Sequence, residues 1–414
     1  MQNPDSESTD EVVEAVVYPL VTEPADGLPE VVVTDAALRN TIDALQSGTG
    51  PIALDAERAS GFKYRQRAYL IQLRRNGSGT HLIDPTAFDD LRELNDALIG
   101  VDWVLHAASQ DLVCLAEVGL KPSAQLFDTE LAGRLLGLPR VGLGPLVEAQ
   151  IGVSLAKEHS AADWSTRPLP ESWLIYAALD VEYLLELWDL ISENLRAADK
   201  YELALQEFEH VRVNTVAVER VDPWRRTSGM HKLHTGRQLA VVREVWVKRD
   251  AMARELDIAP GRLLPDSSIV AMAACNSADH SVLEALPEMK HRYARRNRET
   301  WLERVTHAHS LPDEDLPPVR VKGSGPPPPK NWVTRNPQAF AALEQIRAAL
   351  SEVAERLSIP AENVMTPDFI RRVVWDGASS QENVEEQLRD LRAREWQISI
   401  VAPLVWKGLA DNPR

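Results

Sequence analysis

Three extended runs in close succession limit the fold of this chain more than any other feature. Pro51 to Glu57 reads as a buried strand, Ala68 to Arg74 as a second and Thr80 to Asp84 as a third. Asn76-Gly77-Ser78-Gly79, between the last two, is a hairpin turn signal. Strands joined by such short connections pair antiparallel, so a meander is expected. In an extended run, residues two apart point to one face, which puts Asp55 and Glu57 side by side. Two carboxylates so placed repel unless water or a cation lies between them. A solvated edge strand is the plain alternative.

Around this meander the pattern alternates. Glu30 to Asp35 looks like a short strand entering a helix capped near Thr34 or Asp35, with Leu38, Ile42 and Leu45 on its apolar face. Leu91 to Leu98 reads as a helix and Trp103 to His106 as a fourth strand. Ser109 is expected to cap a helix containing Asp111, and Phe127-Asp128-Thr129 to open another. A short helix from Leu143 to Ile151 and a loop from His159 to Pro170 follow. The pattern is that of an α/β domain over residues 30–210. After Pro170 the apolar residues Leu174, Ala177, Ala178, Val181 and Leu185 mark a helix. Tyr176 and Asp180 then lie one turn apart on one face. By itself that pair means only a phenol hydrogen-bonded to an acid.

At 414 residues the chain has room for two to four domains. No apolar run approaches the roughly 20 residues that a membrane helix needs. The N-terminus is acidic, without the basic-then-apolar order of a secretory leader. Two distant cysteines, Cys114 and Cys275, provide no disulfide framework or metal knuckle. The expected compartment is the cytoplasm. Residues 1–29, rich in acids and prolines and without Lys or Arg, read as a disordered acidic tail. The net charge of −17 argues against a generic polyanion binder. Acids are also what a site for a hard divalent cation requires.

Taken together, Asp55-x-Glu57, His106-x-x-Ser109-x-Asp111 and Tyr176-x-x-x-Asp180 resemble the three motifs of the DEDD exonuclease superfamily, in its tyrosine branch. The flanks Tyr69-Leu70-Ile71-Gln72-Leu73, Phe127-Asp128-Thr129 and Asp163-Trp164-Ser165-Thr166-Arg167-Pro168-Leu169 resemble the ribonuclease D family. The resemblance covers residues 30–210 and implies a ribonuclease H-like fold, a mixed sheet flanked by helices. It implies two divalent ions, Mg2+ or Mn2+, which activate water and stabilise charge on the attacking and leaving oxygens. Asp55, Glu57 and Asp180 would hold one ion. Asp55 would bridge to a second, reached by Asp111, and Tyr176 would orient the attacking water. Arg167 is expected either to contact a phosphate or to form a structural ion pair. Gln72 and Asp128 are read as structural, and His106 as a capping or packing residue.

Past residue 210, Arg220, Arg225, Arg226, Lys232, Arg237, Arg243, Lys248 and Arg249 form a basic stretch with Trp224 and Trp246 among them. Such a stretch can engage phosphates and stack on bases; the plain alternative is a solvated helix face, and the two tryptophans are read as core residues, with Arg225, Arg226, Lys232 and Arg237 the nucleic-acid-binding candidates. A second basic cluster runs from Lys290 to Arg298. A faint repeat at an offset of about 101 residues relates Leu256-Asp257-Ile258 and Ile269 to Leu357-Ser358-Ile359 and Ile370. Each copy resembles the helicase-and-ribonuclease-D C-terminal (HRDC) domain, an all-α bundle. The first spans residues 228–310 and the second 331–414, joined by a Pro-rich linker over 311–330.

The resulting expectation is a metal-dependent 3′→5′ exoribonuclease that releases nucleoside 5′-monophosphates from RNA 3′ ends, including those of tRNA precursors. A 3′→5′ DNA exonuclease and a catalytically silent nucleic-acid-binding scaffold are the alternatives. No protein partner is indicated.

Overall fold

The computed structural model describes residues 17–156, 161–217, 220–290, 292–320 and 325–413. In the α/β domain the elements are β1 (Leu20–Val21), β2 (Val31–Val32), α1 (Asp35–Ser47), β3 (Thr49–Arg58), β4 (Ala68–Asn76), β5 (Gly79–Ile83), α2 (Arg92–Ala97), β6 (Trp103–Leu105), α3 (Leu112–Glu117), β7 (Leu126–Asp128), α4 (Thr129–Leu135), α5 (Leu143–Gln150), β8 (Ser154–Leu155), α6 (Glu171–Glu182), α7 (Leu184–Ala197) and α8 (Tyr201–Asn214). The main sheet has the order β2-β5-β4-β3-β6-β7. β3, β4 and β5 form the expected antiparallel meander. The outer strands join in parallel: β2 on β5, β6 on β3 and β7 on β6.

Alternation along β3 sorts its residues between two cores. Ile52, Leu54 and Ala56 face Leu38, Ile42, Leu45 and Leu115 on the side of α1 and α3. Ala53 packs instead with Val181 and Leu184, on the side of α6 and α7. Asp55 and Glu57 follow Ala53 on that second face. The meander thus carries two acids beneath α6.

Two expectations need correction. Residues 17–29 are not a structureless tail. β1 pairs in parallel with β8, Ala25 N donates to Glu182 (3.4 Å) and Asp26 pairs with Arg74 at 3.1 Å. Main-chain pairing does not depend on composition, which is why an acidic, proline-containing stretch can still be held. Residues 1–16 lie outside the described residues. Phe127-Asp128 also does more than open a helix. It closes the strand β7, and Asp128 then caps α4 by accepting from Glu130 N and Leu131 N.

Two helical domains follow. The first contains α9 (Gly236–Leu256), α10 (Pro260–Leu263), α11 (Asp266–Ala274), α12 (His280–Glu284), α13 (Arg292–Arg296) and α14 (Arg298–Ser310). α9 begins with a capping box, Thr235 with Gln238. The second contains α15 (Trp332–Arg335), α16 (Pro337–Leu357), α17 (Ala361–Val364), α18 (Pro367–Asp376), α19 (Gln381–Asp390) and α20 (Glu395–Asp411). The first domain has a core of its own around Trp224, Val245, Ile269 and Trp301. The second shares one continuous core with α7 and α8, in which Leu187 and Phe208 join Trp332, Ile346 and Val405.

The two ends of the connecting segment are tied down. Arg225 Nη1 donates to Pro318 O at 3.1 Å, and Trp332 Nε1 donates to Pro327 O at 2.7 Å.

Candidate active site

Asp55, Glu57, Asp111, Tyr176 and Asp180 line a single cavity of about 220 Å³, together with Arg58, His106, Gln110, Leu143 and Leu184. Three different elements bring them together. β3 supplies the first two acids, the start of α3 supplies Asp111, and α6 lays Tyr176 and Asp180 across the sheet. One carboxylate oxygen from each of Asp55, Glu57 and Asp180 lies within 4.8 Å of the others. Asp111 stands outside that trio, and its Oδ1 is 3.8 Å from Arg58 Nη2.

Asp111 does not sit inside a helix capped by Ser109, as the sequence suggests. A single 3-10 turn, Ala108–Gln110, comes first, and Asp111 occupies the cap position of α3 without making a side-chain cap bond. The turn starts from Ala107 in a left-handed conformation (φ 55°), which costs a non-glycine residue about 1–3 kcal/mol. Asp128 stabilises it. Its Oδ1 accepts from Ala107 N (3.0 Å) and its Oδ2 from Ala108 N (2.8 Å). Asp128 is therefore structural, as expected, and what it holds is the turn that delivers Asp111.

Behind Tyr176, Trp164 is fully buried and packs on Trp173 (ring centroids 5.4 Å apart) and on Tyr176 itself (6.4 Å). Tyr176 donates its hydroxyl hydrogen bond to Asp180. Gln72 lies opposite Asp55 in the β3–β4 register. It is buried, and neither atom of its amide has a partner among the described residues.

Burial dominates the electrostatics. It pushes the Asp55 carboxyl up to about 6. Glu57 is raised by burial and then by Asp55, Asp180 and Asp111. Asp180 and Asp111 are raised by burial and then by Asp55. Burial next to these acids also raises the Tyr176 phenol, which keeps its proton. The His106 imidazole is pushed down to about 4 by burial. Its Nδ1 lies 2.9 Å from Thr129 Oγ1, so it packs as a neutral ring.

Clustered carboxylates that hold protons this tightly are a costly arrangement unless a cation replaces the protons. Their oxygen-only donor set fits a hard divalent ion. Protons compete for the same oxygens, so cation affinity must fall as pH drops through the raised carboxyl values.

The expected nucleic-acid-binding arginines divide. Arg167 is a structural clasp. Its guanidinium donates to both Asp84 oxygens (2.6 and 2.8 Å), to Tyr69 O and to the Trp164 and Thr166 carbonyls. All five donors are used, so the phosphate contact is corrected to the ion pair. Arg237 is likewise spent on Ala308 O, His309 O, Leu311 O and Asp313 at the end of α14. Arg225 bonds Asp222 and lies over the Trp224 ring at 4.3 Å. Arg226 and Lys232 are exposed.

The cavity residue that sequence reasoning passed over is Arg58. Its signal was a base directly after the acid pair, in a motif read only for its acids.

Comparison with known proteins fits this geometry. A 3'-5' exonuclease family model matches residues 29–196 and an HRDC model residues 238–305. Residues 325–409 match a model for a 3' to 5' exonuclease C-terminal domain, so the second helical copy has a family description of its own. Ribonuclease D of Escherichia coli (strain K12) is 30% identical over 393 residues, covering 93% of this chain and 99% of the relative. The chain belongs to the ribonuclease D family.

Ribonuclease D of Shewanella sp. (strain ANA-3) is 29% identical over 353 residues, with 83% of this chain and 87% of the relative covered. A solved protein from Bifidobacterium adolescentis superimposes with a TM-score of 0.87 at 35% identity, over 95% of this chain and all of that one. The E. coli RNase D crystal structure, described as that of an exoribonuclease involved in structured RNA processing, gives 0.68 at 27% identity over 93% of this chain and 99% of that one. The chain is a 3′→5′ exoribonuclease with a mixed-sheet nuclease domain followed by helical domains. No helix among the described residues is long and apolar enough to cross a membrane.

Proposed function

We propose that this enzyme works with two divalent ions, Mg2+ or Mn2+, and trims the 3′ ends of structured RNAs, tRNA precursors among them, in the cytoplasm. The observation that carries this reading is the convergence of Asp55, Glu57, Asp111, Asp180 and Tyr176 on one cavity. Asp55, Glu57 and Asp180 would hold one ion, and Asp55 with Asp111 a second. When bound, such ions supply an activated water and neutralise charge on the attacking and leaving oxygens.

The chain's own residues do the rest. Tyr176, still protonated and anchored on Asp180, positions the water by hydrogen bonding rather than taking its proton. Water oxygen bonds to phosphorus as it gives up a proton to solvent, and the P–O3′ bond breaks as the 3′ oxygen takes up a proton in its place. The released nucleotide keeps the phosphate on its 5′ oxygen, and the shortened RNA ends in a 3′ hydroxyl. The Asp128-held turn keeps Asp111 in place. Trp164 keeps Tyr176 from rotating away. Arg226 and Lys232 remain candidates for RNA contact outside the cavity.

Timed digestion of a 3′-extended tRNA with Mn2+ or Mg2+, with a matched DNA oligonucleotide alongside, tests the reading. Asp55→Ala and Asp180→Ala should each lower hydrolysis by roughly 10³-fold or more while RNA binding persists. Tyr176→Phe should retain metal binding and lose about 10²-fold in kcat. Full activity in either aspartate variant would sink the mechanism.

A further inference from the structure

We propose that Arg58 is a phosphate-binding residue of the nuclease centre, gripping the non-bridging oxygens of the RNA phosphodiester that enters the acidic cavity. The inference rests on the phosphodiester-hydrolysis reading above and assigns a role that the acids and Tyr176 cannot fill.

The first observation is position. Arg58 follows Glu57 at the end of β3, where the ladder with β4 shifts register. Its side chain lines the same cavity as Asp55, Glu57, Asp111, Tyr176 and Asp180. It is 30% exposed, whereas that of Asp111 is 8% exposed, so the guanidinium is open to an incoming ligand.

The second is the state of its donors. The nearest acid oxygen, on Asp111, is 3.8 Å away, beyond hydrogen-bond length. No hydrogen bond among the described residues holds the Arg58 guanidinium. Arginines that serve structure in this protein look different. Arg167 uses every donor. Arg249 is bound to Leu264 O and Asp266, and Arg394 to Glu207. Arg58 keeps its whole fork available.

The third is charge. Of the residues lining the cavity, only Arg58 and His106 could carry positive charge, and His106 is a neutral packing residue. Four carboxylates repel a polyanion, and ions that neutralise them leave the phosphate's own oxygens short of donors. A planar guanidinium offers two parallel N–H groups that match two phosphate oxygens, which an ammonium cannot. Positioned donors of this kind act where negative charge grows during attack on phosphorus.

The backbone behind Arg58 is also fixed. Ala59 is fully buried, and its carbonyl accepts from Phe62 N and Lys63 N at 3.0 Å each. Phe62 O accepts from Ala259 N of the first helical domain at 3.0 Å, and Gly61 O from Arg262 Nε at 2.6 Å. These bonds anchor the segment behind Arg58 and leave its side chain to turn between Asp111 and the phosphate.

The test compares wild type, Arg58→Ala and Arg58→Lys on a 3′-hydroxyl oligoribonucleotide, with Mn2+ binding followed separately by calorimetry. Arg58→Ala should lower kcat by about 10²-fold at saturating Mn2+, the scale of losing one positioned transition-state donor. Its calorimetric Mn2+ affinity should be unchanged or tighter, because a cation near Asp111 has been removed. Added guanidinium ion should restore several-fold of the lost rate. Arg58→Lys should keep the charge and still lose at least about tenfold, since the fork is gone. A kcat for Arg58→Ala within about threefold of wild type would overturn the proposal. A loss fully reversed by more Mn2+ would also overturn it, since Arg58 would then serve only to arrange Asp111. If Arg58→Ala does not fold, a folded Arg58→Lys with wild-type kcat overturns it equally. A wild type inactive on this RNA would remove the hydrolysis reading and the proposal with it.

Discussion

The two helical domains are built alike and attached differently. α9 and α16 are both 21 residues long. Each ends on a left-handed residue, Asp257 (φ 48°) or Ser358 (φ 49°), followed by an isoleucine and a short helix. In both domains this same corner touches the nuclease domain. The first domain uses a side chain there: Asp257 accepts from Arg65 N (3.1 Å) and pairs with Lys63 at 3.8 Å. Around it, Tyr64 donates to Asp250 and Arg262 lies over the Phe62 ring at 4.0 Å. The second uses its backbone: Ser358 O receives Lys200 Nζ (3.4 Å) and lies against Gly137. Around that contact runs the apolar core that joins Leu187 and Phe208 to Trp332 and Val405. One corner thus serves a polar clasp in the first case and a fused core in the second. A polar clasp exchanges protein contacts for water at little cost, and a fused core does not.

Removing the second domain should therefore have the largest effect. A chain ending at residue 320 removes Trp332, Ile346 and Val405 from the core that α7 and α8 share with the second domain. Each large apolar side chain left uncovered costs on the order of 1.5–3 kcal/mol of burial. The truncated nuclease domain should aggregate or lose cooperative unfolding, read by calorimetry and size-exclusion chromatography. A truncated chain melting at the full-length temperature would erase the distinction between the two attachments.

A single residue should reproduce part of that loss. Glu207 is buried and accepts from Arg394 Nε (2.6 Å) and Trp396 Nε1 (2.8 Å) of the second domain. Glu207→Ala leaves a largely buried guanidinium and a buried indole N–H without this partner. Breaking such a pair costs about 3–5 kcal/mol, measurable by urea unfolding. Replacing Arg394 and Glu207 together by apolar residues should recover much of it. If Glu207→Ala costs under about 1 kcal/mol, the polar part of this interface is no stronger than the clasp on the first domain.

The same contrast explains what could be read from sequence. The meander was legible because alternation and an Asn-Gly turn are local signals, and the pairs Asp55–Glu57 and Tyr176–Asp180 because their spacings fit one strand and one helix, whereas Asp111 joined them only through the resemblance to the exonuclease motifs. Local signals gave out at three places. Leu126–Asp128 is too short to show a period, and its strand character comes from lying beside β6. Residues 17–29 are held by main-chain bonds to Ser154 and Ala156, which composition does not register. Arg167, Arg237 and Arg58 are alike in sequence. Only the acceptors around them separate two structural clasps from one open guanidinium.

The smallest effect should come from the clasp itself. Tyr64 Oη donates to Asp250 (3.1 Å to either oxygen) and accepts from Arg254 Nε and Nη2 (3.3 and 3.2 Å). All three partners retain access to water, so Tyr64→Phe should cost no more than about 1 kcal/mol. Its consequence should be local. Residues 59–67 lead directly from the Asp55–Glu57 strand to β4, and with the hydroxyl gone their amides should exchange several-fold faster while those of β3 stay protected. Hydrogen exchange resolved by residue would show it. A melting-temperature drop as large as that of Glu207→Ala would mean that the first domain is fused to the nuclease domain as firmly as the second. Unchanged exchange over 59–67 would place the hold of the first domain elsewhere, in Arg262 on Gly61 and in Asp257 on Arg65 N.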